Sequence, residues 1–328
     1  MHGSVTAVVT TRNRLAMLRR AVGSILGQQD VTVRVVVVDE GSTDGTPEFL
    51  AAVEDPRVRV VRHDVPLGPS AARNAGVAVA DADWIAVCYD DDVWSPTKMR
   101  SQLEALAARP DARWAVAGQI TVDELGTVVG HRETPADGDV LAPMLEANVV
   151  PGMSGLVFQP SLFDEVGGFD SSLWASEDWD LEIRLAAAAP VVGADGPHVA
   201  YLVASGSLSN DAEKMRASFD LVRDRYADLA AAQGVSFDGA GYEEYVAHHQ
   251  VRARRRGPAA RTYAELAWRE RNPRHAVRAA TALVAPAWMD HKGDQRAAAR
   301  VPAGWVEQFR RWYPRVPTLN APPLDPPT

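Results

Sequence analysis

One cysteine in 328 residues, Cys88, leaves no pair for a disulfide framework and fits a reducing compartment. Cationic excess is lacking too. The net charge is −9, which argues against a surface built mainly to grip nucleic acid. Long hydrophobic runs are missing: AATALVAPAWM (279–289) falls far short of a membrane span and contains Pro286. No basic, apolar, small-residue signal segment stands ahead of the first strand pattern, so the expected location is the cytoplasm. Internal repeats are absent as well. What remains is ordinary for a globular protein, with 46% hydrophobic and 23% charged residues. The length suits one large domain with a sizeable appendage.

The first hundred residues alternate strand and helix patterns. SVTAVVT (4–10), 33–38, RVRVVRH (57–63) and WIAVCY (84–89) read as strands. Between them, Leu15, Leu18, Val22, Ile25 and Leu26 mark one helix. A second starts near Thr46 and Pro47, and a third opens at Gly68 and Pro69. Ser95 and Pro96 predict the N-cap and first turn of a fourth, with Met99, Leu103 and Leu106 on its buried side. This order implies a mostly parallel, doubly wound α/β sheet with helices on both faces. Beyond it, WAVAGQITV (114–122) predicts a strand, 123–150 is loop-rich, GLVFQ (155–159) is apolar, and SEDWDLEIRLAAA (176–188) predicts a helix that begins with acids. From about 211 the pattern is helical.

Chemistry gathers where apolar strands end in carboxylates. VVVVDEGSTDGT (35–46) delivers Asp39 and Glu40, and WIAVCY delivers Asp90, Asp91 and Asp92 to the same sheet edge, where open α/β sheets bind ligands. Asp44 reads as a turn residue. Three consecutive aspartates repel one another unless a cation compensates, and magnesium or manganese suits one or two carboxylates plus substrate phosphates.

The segments TTRNRLAMLRRAVGSILGQ (10–28), VVVVDEGSTDGT, LGPSAARNAG (67–76), WIAVCYDDDVWSP (84–96), SGLVFQPSLFDEVGGFD (154–170) and SEDWDLEIRLA (176–186) resemble, in order, the signature segments of family-2 glycosyltransferases. The resemblance covers about residues 4–210. It implies a glycosyltransferase-A fold and inverting transfer from a nucleotide-diphosphate sugar, with a UDP-sugar favoured. It assigns Thr10, Arg12, Asp39, Glu40, Arg73 and Asp90 to the nucleotide sugar, and Asp91 and Asp92 to a divalent metal (Mg or Mn). Asp178 would be the general base, with Glu177 beside it. For Arg73 a helix-surface ion pair is an equal alternative. For Glu177 and Asp178 the alternative is acids favouring a helix N-terminus. Trp174 and Trp179 flank that pair and suit either a sugar ring or the core.

Three positions depart from the family pattern. Glu40 stands where aspartate is usual, Tyr89 where many relatives carry another aspartate, and Ala204 where a histidine often completes the metal site. The competing functions are a sugar-nucleotide pyrophosphorylase, which would need a glycine-rich phosphate loop that TTRNRL lacks, and a non-catalytic sugar-nucleotide binder. Residues 1–110 form the expected nucleotide-sugar half, 111–210 the acceptor and base half, 211–318 a helical C-terminal region, and 319–328 a proline-rich tail expected to be disordered. The acceptor is expected to be a small soluble natural product or saccharide, or a lipid-linked or cell-envelope glycan. His248 and His249 lack metal-ligand spacing. RARRR (252–256) is expected as a solvated helix face, with peripheral contact to anionic lipid or a phosphorylated acceptor as the alternative.

Overall fold

The computed structural model describes residues 3–173, 175–203 and 212–320. Nine strands form one sheet: β1 (Val5–Thr11), β2 (Val33–Glu40), β3 (Val58–His63), β4 (Trp84–Tyr89), β5 (Val93–Trp94), β6 (Trp114–Val122), β7 (Val128–Arg132), β8 (Val157–Phe158) and β9 (Val191–Leu202). Their order is β3-β2-β1-β4-β8-β6-β9-β5, with β7 paired to β6. The sheet is parallel through β3-β2-β1-β4. Beyond β4 it is mixed, because the short β8 runs antiparallel to both β4 and β6.

The four valines 35–38 show why β2 is buried on both sides. Val36 and Val38 join the core on one face of the sheet with Val8, Ile85 and Val87. Val35 and Val37 join the other with Ala7, Val9, Ala86 and Cys88. Period-two alternation sends neighbours to opposite faces, so a strand covered twice needs an unbroken apolar run. On the second face lie α1 (Leu15–Leu26), α2 (Thr46–Ala51) and, after α3, α4 (Lys98–Ala108); Leu18, Val22, Ile25, Phe49, Leu50, Met99 and Leu103 pack there. On the first face lie α3 (Pro69–Ala78), α5 (Leu141–Glu146), α6 (Pro160–Val166) and α7 (Glu177–Ala188).

Three sequence expectations shift in detail. α4 starts at Lys98, two residues after Pro96. Ser95 is occupied elsewhere: its N–H donates to the His198 carbonyl, and its hydroxyl meets His198 Nδ1 at 3.1 Å, which ties the segment to β9. The loop-rich stretch 123–150 contains β7 and α5. β9 is a strand that its breakers conceal. Its register against β6 jumps from Ala117↔Ala194 to Gln119↔Val199, so Asp195–His198 bulge out. Gly196 takes φ +120 there, and Gly118 allows the approach, since a Cβ on Gly118 would meet the Gly196 carbonyl at 2.4 Å.

The C-terminal helices are α8 (Ala212–Arg225), α9 (Ala227–Ala232), α10 (Gly239–Arg252), α11 (Arg256–Glu270), α12 (Pro273–Val284), α13 (Pro286–Ala298) and α14 (Ala303–Trp312). α8 and α9 extend the main core through Phe219, Val222 and Ala230. α10–α12 share a small core of their own, built on Ala247, Val251, Tyr263, Leu266 and Ala282. RARRR spans the junction of α10 and α11 rather than one helix face, with Arg254 at φ 59 in the turn. Past α14 the chain returns to α1. The Leu319 N–H donates to the Arg19 carbonyl at 2.8 Å, and Arg19 Nη2 donates to Asn320 Oδ1 at 2.8 Å.

Candidate active site

The strand order places the site. From β1 the chain winds outward to β2 and β3, then crosses back to β4 on the other side of β1. The turns leaving β1 and β4 diverge, which opens a crevice at their carboxyl ends, the switch point where such sheets bind ligands. The register sets Thr10 beside Tyr89 and Thr11 beside Asp39 along this edge.

At the centre, Asp90 is buried. It accepts from the Thr11 hydroxyl at 2.7 Å and from Arg14 Nη1 at 3.1 Å. The same Arg14 nitrogen lies 2.9 Å from Asp91 Oδ2. One guanidinium thus sits between two carboxylates. Burial, followed by the charge on Asp91, raises the Asp90 pKa to about 6 against the pull of Arg14 and Thr11. Burial raises Asp91 as well, opposed first by Arg14. Asp92 turns inward: its oxygens accept from the Ser154 hydroxyl at 2.5 Å and the Leu202 N–H at 3.2 Å, joining the end of β4 to β9.

Along the β2 edge, Asp39 accepts from the Ser42 N–H at 3.0 Å and pairs with Arg62. Glu40 pairs with His63 and accepts from the N–H groups of Leu67 and Gly68 at 2.8 and 2.7 Å, which holds the loop ahead of α3. Asn13, at φ 54, takes the Thr43 N–H on its side-chain oxygen at 2.7 Å and so fastens the turn after β2 to the turn after β1. Thr10 is half-buried, and Arg12 is exposed with no ion pair among the described residues.

On the far side of the crevice stands the start of α7. Ser176 caps it in the left-handed region at φ 58, a conformation that a residue with a Cβ holds only when its surroundings impose it. Glu177 and Asp178 open the helix. Arg73 Nη1 reaches Glu177 Oε1 at 2.7 Å from α3, with both side chains nearly buried and the guanidinium over the rings of Tyr89 and Phe169. Burial pulls the Arg73 pKa down, but Tyr89, Glu177 and Asp178 outweigh it, so the charge persists. Asp178 accepts from the Trp179 N–H at 2.8 Å and has no ion pair among the described residues. Burial and then repulsion by Glu177 raise its pKa to about 6. Burial and then Tyr245, Asp92, Asp91 and Asp178 push the Tyr201 pKa up. Trp179 belongs to the core: its indole N–H donates to the Met144 carbonyl at 2.7 Å, and its ring packs against Phe219 and Phe237. Trp174 and Ala204 lie outside the described residues.

Thr10, Arg12, Asp39, Glu40, Asp90 and Asp91 thus lie at the carboxyl ends of β1, β2 and β4, Asp92 turns inward, and Arg73 ties α3 to Glu177 at the start of α7. Sequence reasoning missed Thr11, Arg14 and Ser154. Arg14 left one signal, since three adjacent aspartates require a nearby cation and TTRNR is a source of one at that edge. The oxygen-only pair Asp90 and Asp91 already accommodates one cationic group. Among the described residues no group of three or more His, Cys, Asp or Glu forms a metal cage. Such a pair fits magnesium or manganese, which keep one or two carboxylates and complete their shells with phosphate and water.

Comparison with known proteins agrees with this geometry. The family model described as "Glycosyl transferase family 2" matches residues 6–149. The chain is 46% identical over 124 residues to the succinoglycan biosynthesis protein ExoO of Rhizobium meliloti (strain 1021), covering 38% of this chain and 34% of that protein. It is 33% identical over 201 residues to the pre-mycofactocin glycosyltransferase of Mycobacterium tuberculosis (strain ATCC 25618 / H37Rv), covering 56% and 39% respectively. The chain thus spans little more than a third of the length of these curated relatives. Among solved structures, S. aureus TarS 1-349 in complex with UDP superposes with a TM-score of 0.54 at 17% identity, over 76% of this chain and 71% of that one, a likeness of fold. Residues 6–149 of the chain are thus similar to glycosyl transferase family 2.

Proposed function

We propose that the protein transfers a sugar from a nucleotide-diphosphate sugar, a UDP-sugar by preference, to an acceptor hydroxyl with inversion at the anomeric carbon. The observation that carries this reading is the Arg73–Glu177 pair. It commits Arg73 to Glu177 and leaves Asp178, next to it at the start of α7, with no ion pair among the described residues and a pKa raised to about 6.

Thr10, Arg12, Asp39 and Glu40 take the nucleoside end. An ionised carboxylate offers about four lone-pair sites. Asp39 uses two of them and keeps capacity for a base N–H, whereas Glu40 uses three and mainly shapes the pocket wall. Asp90 and Asp91, with Asp92 bracing them from behind, serve the diphosphate end together with a divalent cation. When bound, that cation would supply positive charge against the departing diphosphate. Asp178 takes the acceptor proton as the acceptor oxygen forms its bond to the anomeric carbon and the carbon–oxygen bond to the diphosphate breaks. Glu177, held by Arg73, fixes the start of α7 and so the aim of Asp178. The Mycobacterium relative named as a glycosyltransferase supports the reaction class.

Asp178→Asn tests this directly. The variant should bind the donor nucleotide as the wild type does while kcat falls about 10²–10⁴-fold, the usual worth of a positioned base. Transfer at the wild-type rate would remove Asp178 from the role.

A further inference from the structure

The C-terminal helices carry a surface that the transfer reaction does not use. Residues 252–300 hold twelve arginines and lysines against four aspartates and glutamates, a net +8 in a chain of −9, so the remainder carries −17. Of those cations, Arg254, Arg255, Arg256, Arg261, Arg271 and Arg274 are exposed and make no ion pair among the described residues. α12 meets its neighbours through His275, Ala279 and Ala282. On the opposite side it exposes Val277, Ala280, Leu283 and Val284, spaced at three to four residues as an apolar stripe facing solvent. Past the helix break at Ala285, Trp288 in α13 is 56% exposed, and Trp268, near the end of α11, is 86% exposed. Large aromatic side chains this open are unusual on a soluble surface, and together with valines and a leucine they form more than scattered exposure.

We propose that α11–α13 form a docking face for an anionic membrane surface. The charge decides the occupant. Free arginines beside an outward apolar stripe and exposed tryptophans are the composition of an interfacial helix, whose apolar side enters the headgroup boundary while its cations meet anionic lipid. The −17 on the rest of the molecule repels the same surface, so contact through any other face is disfavoured and one orientation is selected. No helix among the described residues is long and apolar enough to cross a membrane, and the contact proposed is peripheral. This inference stands apart from the transfer reaction and holds or fails without it.

The test is sedimentation of the full chain with vesicles of phosphatidylcholine alone or mixed with phosphatidylglycerol. Binding is expected to the anionic vesicles only, and it should be lost in high salt. Arg261→Glu with Arg271→Glu and Arg274→Glu should weaken it at least tenfold, since each cation near an anionic leaflet contributes roughly fivefold. Val284→Ser with Trp288→Ser should weaken it about tenfold at unchanged melting temperature. Should either variant unfold early, quenching of wild-type tryptophan emission by brominated lipid gives an independent reading, with strong quenching expected. Wild-type protein left in the supernatant at low salt, or equal partition onto both vesicle types, would overturn the proposal. Retention on heparin without vesicle binding would overturn it in favour of an acidic macromolecule.

Discussion

Two acidic pairs, Asp90 with Asp91 and Glu177 with Asp178, are each met by one arginine, yet the two arginines behave differently. Arg14 is 34% exposed and bridges Asp90 and Asp91 from the turn after β1. Arg73 is 3% exposed, clamped between two aromatic rings, and bonded to Glu177 alone. A half-exposed guanidinium over two carboxylates is a counter-ion that another cation can replace. A buried one with a single partner is a fixed part of the scaffold. One arginine thus stays open to solvent while the other is locked into the fold.

The sharpest way to break this comparison is to remove the fixed arginine. Arg73→Met leaves Glu177 buried without its cation, and losing one partner of a buried pair costs about 3–5 kcal/mol. Denaturant unfolding should report a loss of that size. Adding Glu177→Gln should recover part of it, because the stranded charge is gone. A loss below about 1 kcal/mol would mean that Arg73 is as replaceable as Arg14.

The exchangeable pair should answer through ligand rather than through stability. Asp91→Asn is expected to weaken donor binding about 10–100-fold in magnesium or manganese and to change it little in excess chelator. That difference is the signature of a carboxylate acting with a cation. Equal weakening in both buffers would turn Asp91 into an ordinary polar contact.

pH separates the pairs further. In the proposed reaction Asp178 takes a proton only when ionised, and its pKa is raised to about 6, so kcat should be level above that pH and fall about tenfold per unit below it. Repulsion by Glu177 is the second cause of the shift, so Glu177→Gln should move the midpoint down. The stability sign runs the other way. A carboxyl whose folded pKa lies above its unfolded value contributes stability fully present below the unfolded value, and that contribution is lost as pH rises through about 6. Melting temperatures of wild type and Asp178→Asn should therefore draw apart as pH rises from about 4 to about 6 and stay apart above it, with the variant the higher. A midpoint near 4 would mean that Asp178 is not shielded as drawn.

Most of the donor edge was legible because its signals are local. An unbroken valine run ending in Asp39 and Glu40 has one simple reading, and WIAVCYDDD repeats it at β4. The mixed half was harder, because β9 hides behind Gly193, Gly196 and Pro197, whose bulge shows only against β6. Side-chain direction was harder still. Asp91 and Asp92 are neighbours in sequence, yet one meets Arg14 and the other Ser154 and Leu202. Trp179, read as either a sugar platform or core, is settled by partners 35 to 63 residues distant. Arg14 stayed unassigned because its partners come from a strand 76 residues away.

Arg14→Met should have the smallest effect and bears most closely on the comparison. Arg14 is about a third exposed, so water screens part of the loss and the melting temperature should fall less than in Arg73→Met. Removing the guanidinium leaves Asp90 and Asp91 without their counter-charge, and a free divalent cation then meets no competitor. Calorimetry without donor should show magnesium or manganese binding a few-fold more tightly to the variant than to the wild type. Arg73→Met, by contrast, should leave that affinity unchanged, because its partner lies on the other side of the crevice. Weaker cation binding in Arg14→Met would instead make Arg14 an organiser of the two carboxylates, and the exchange reading of this pair would fall.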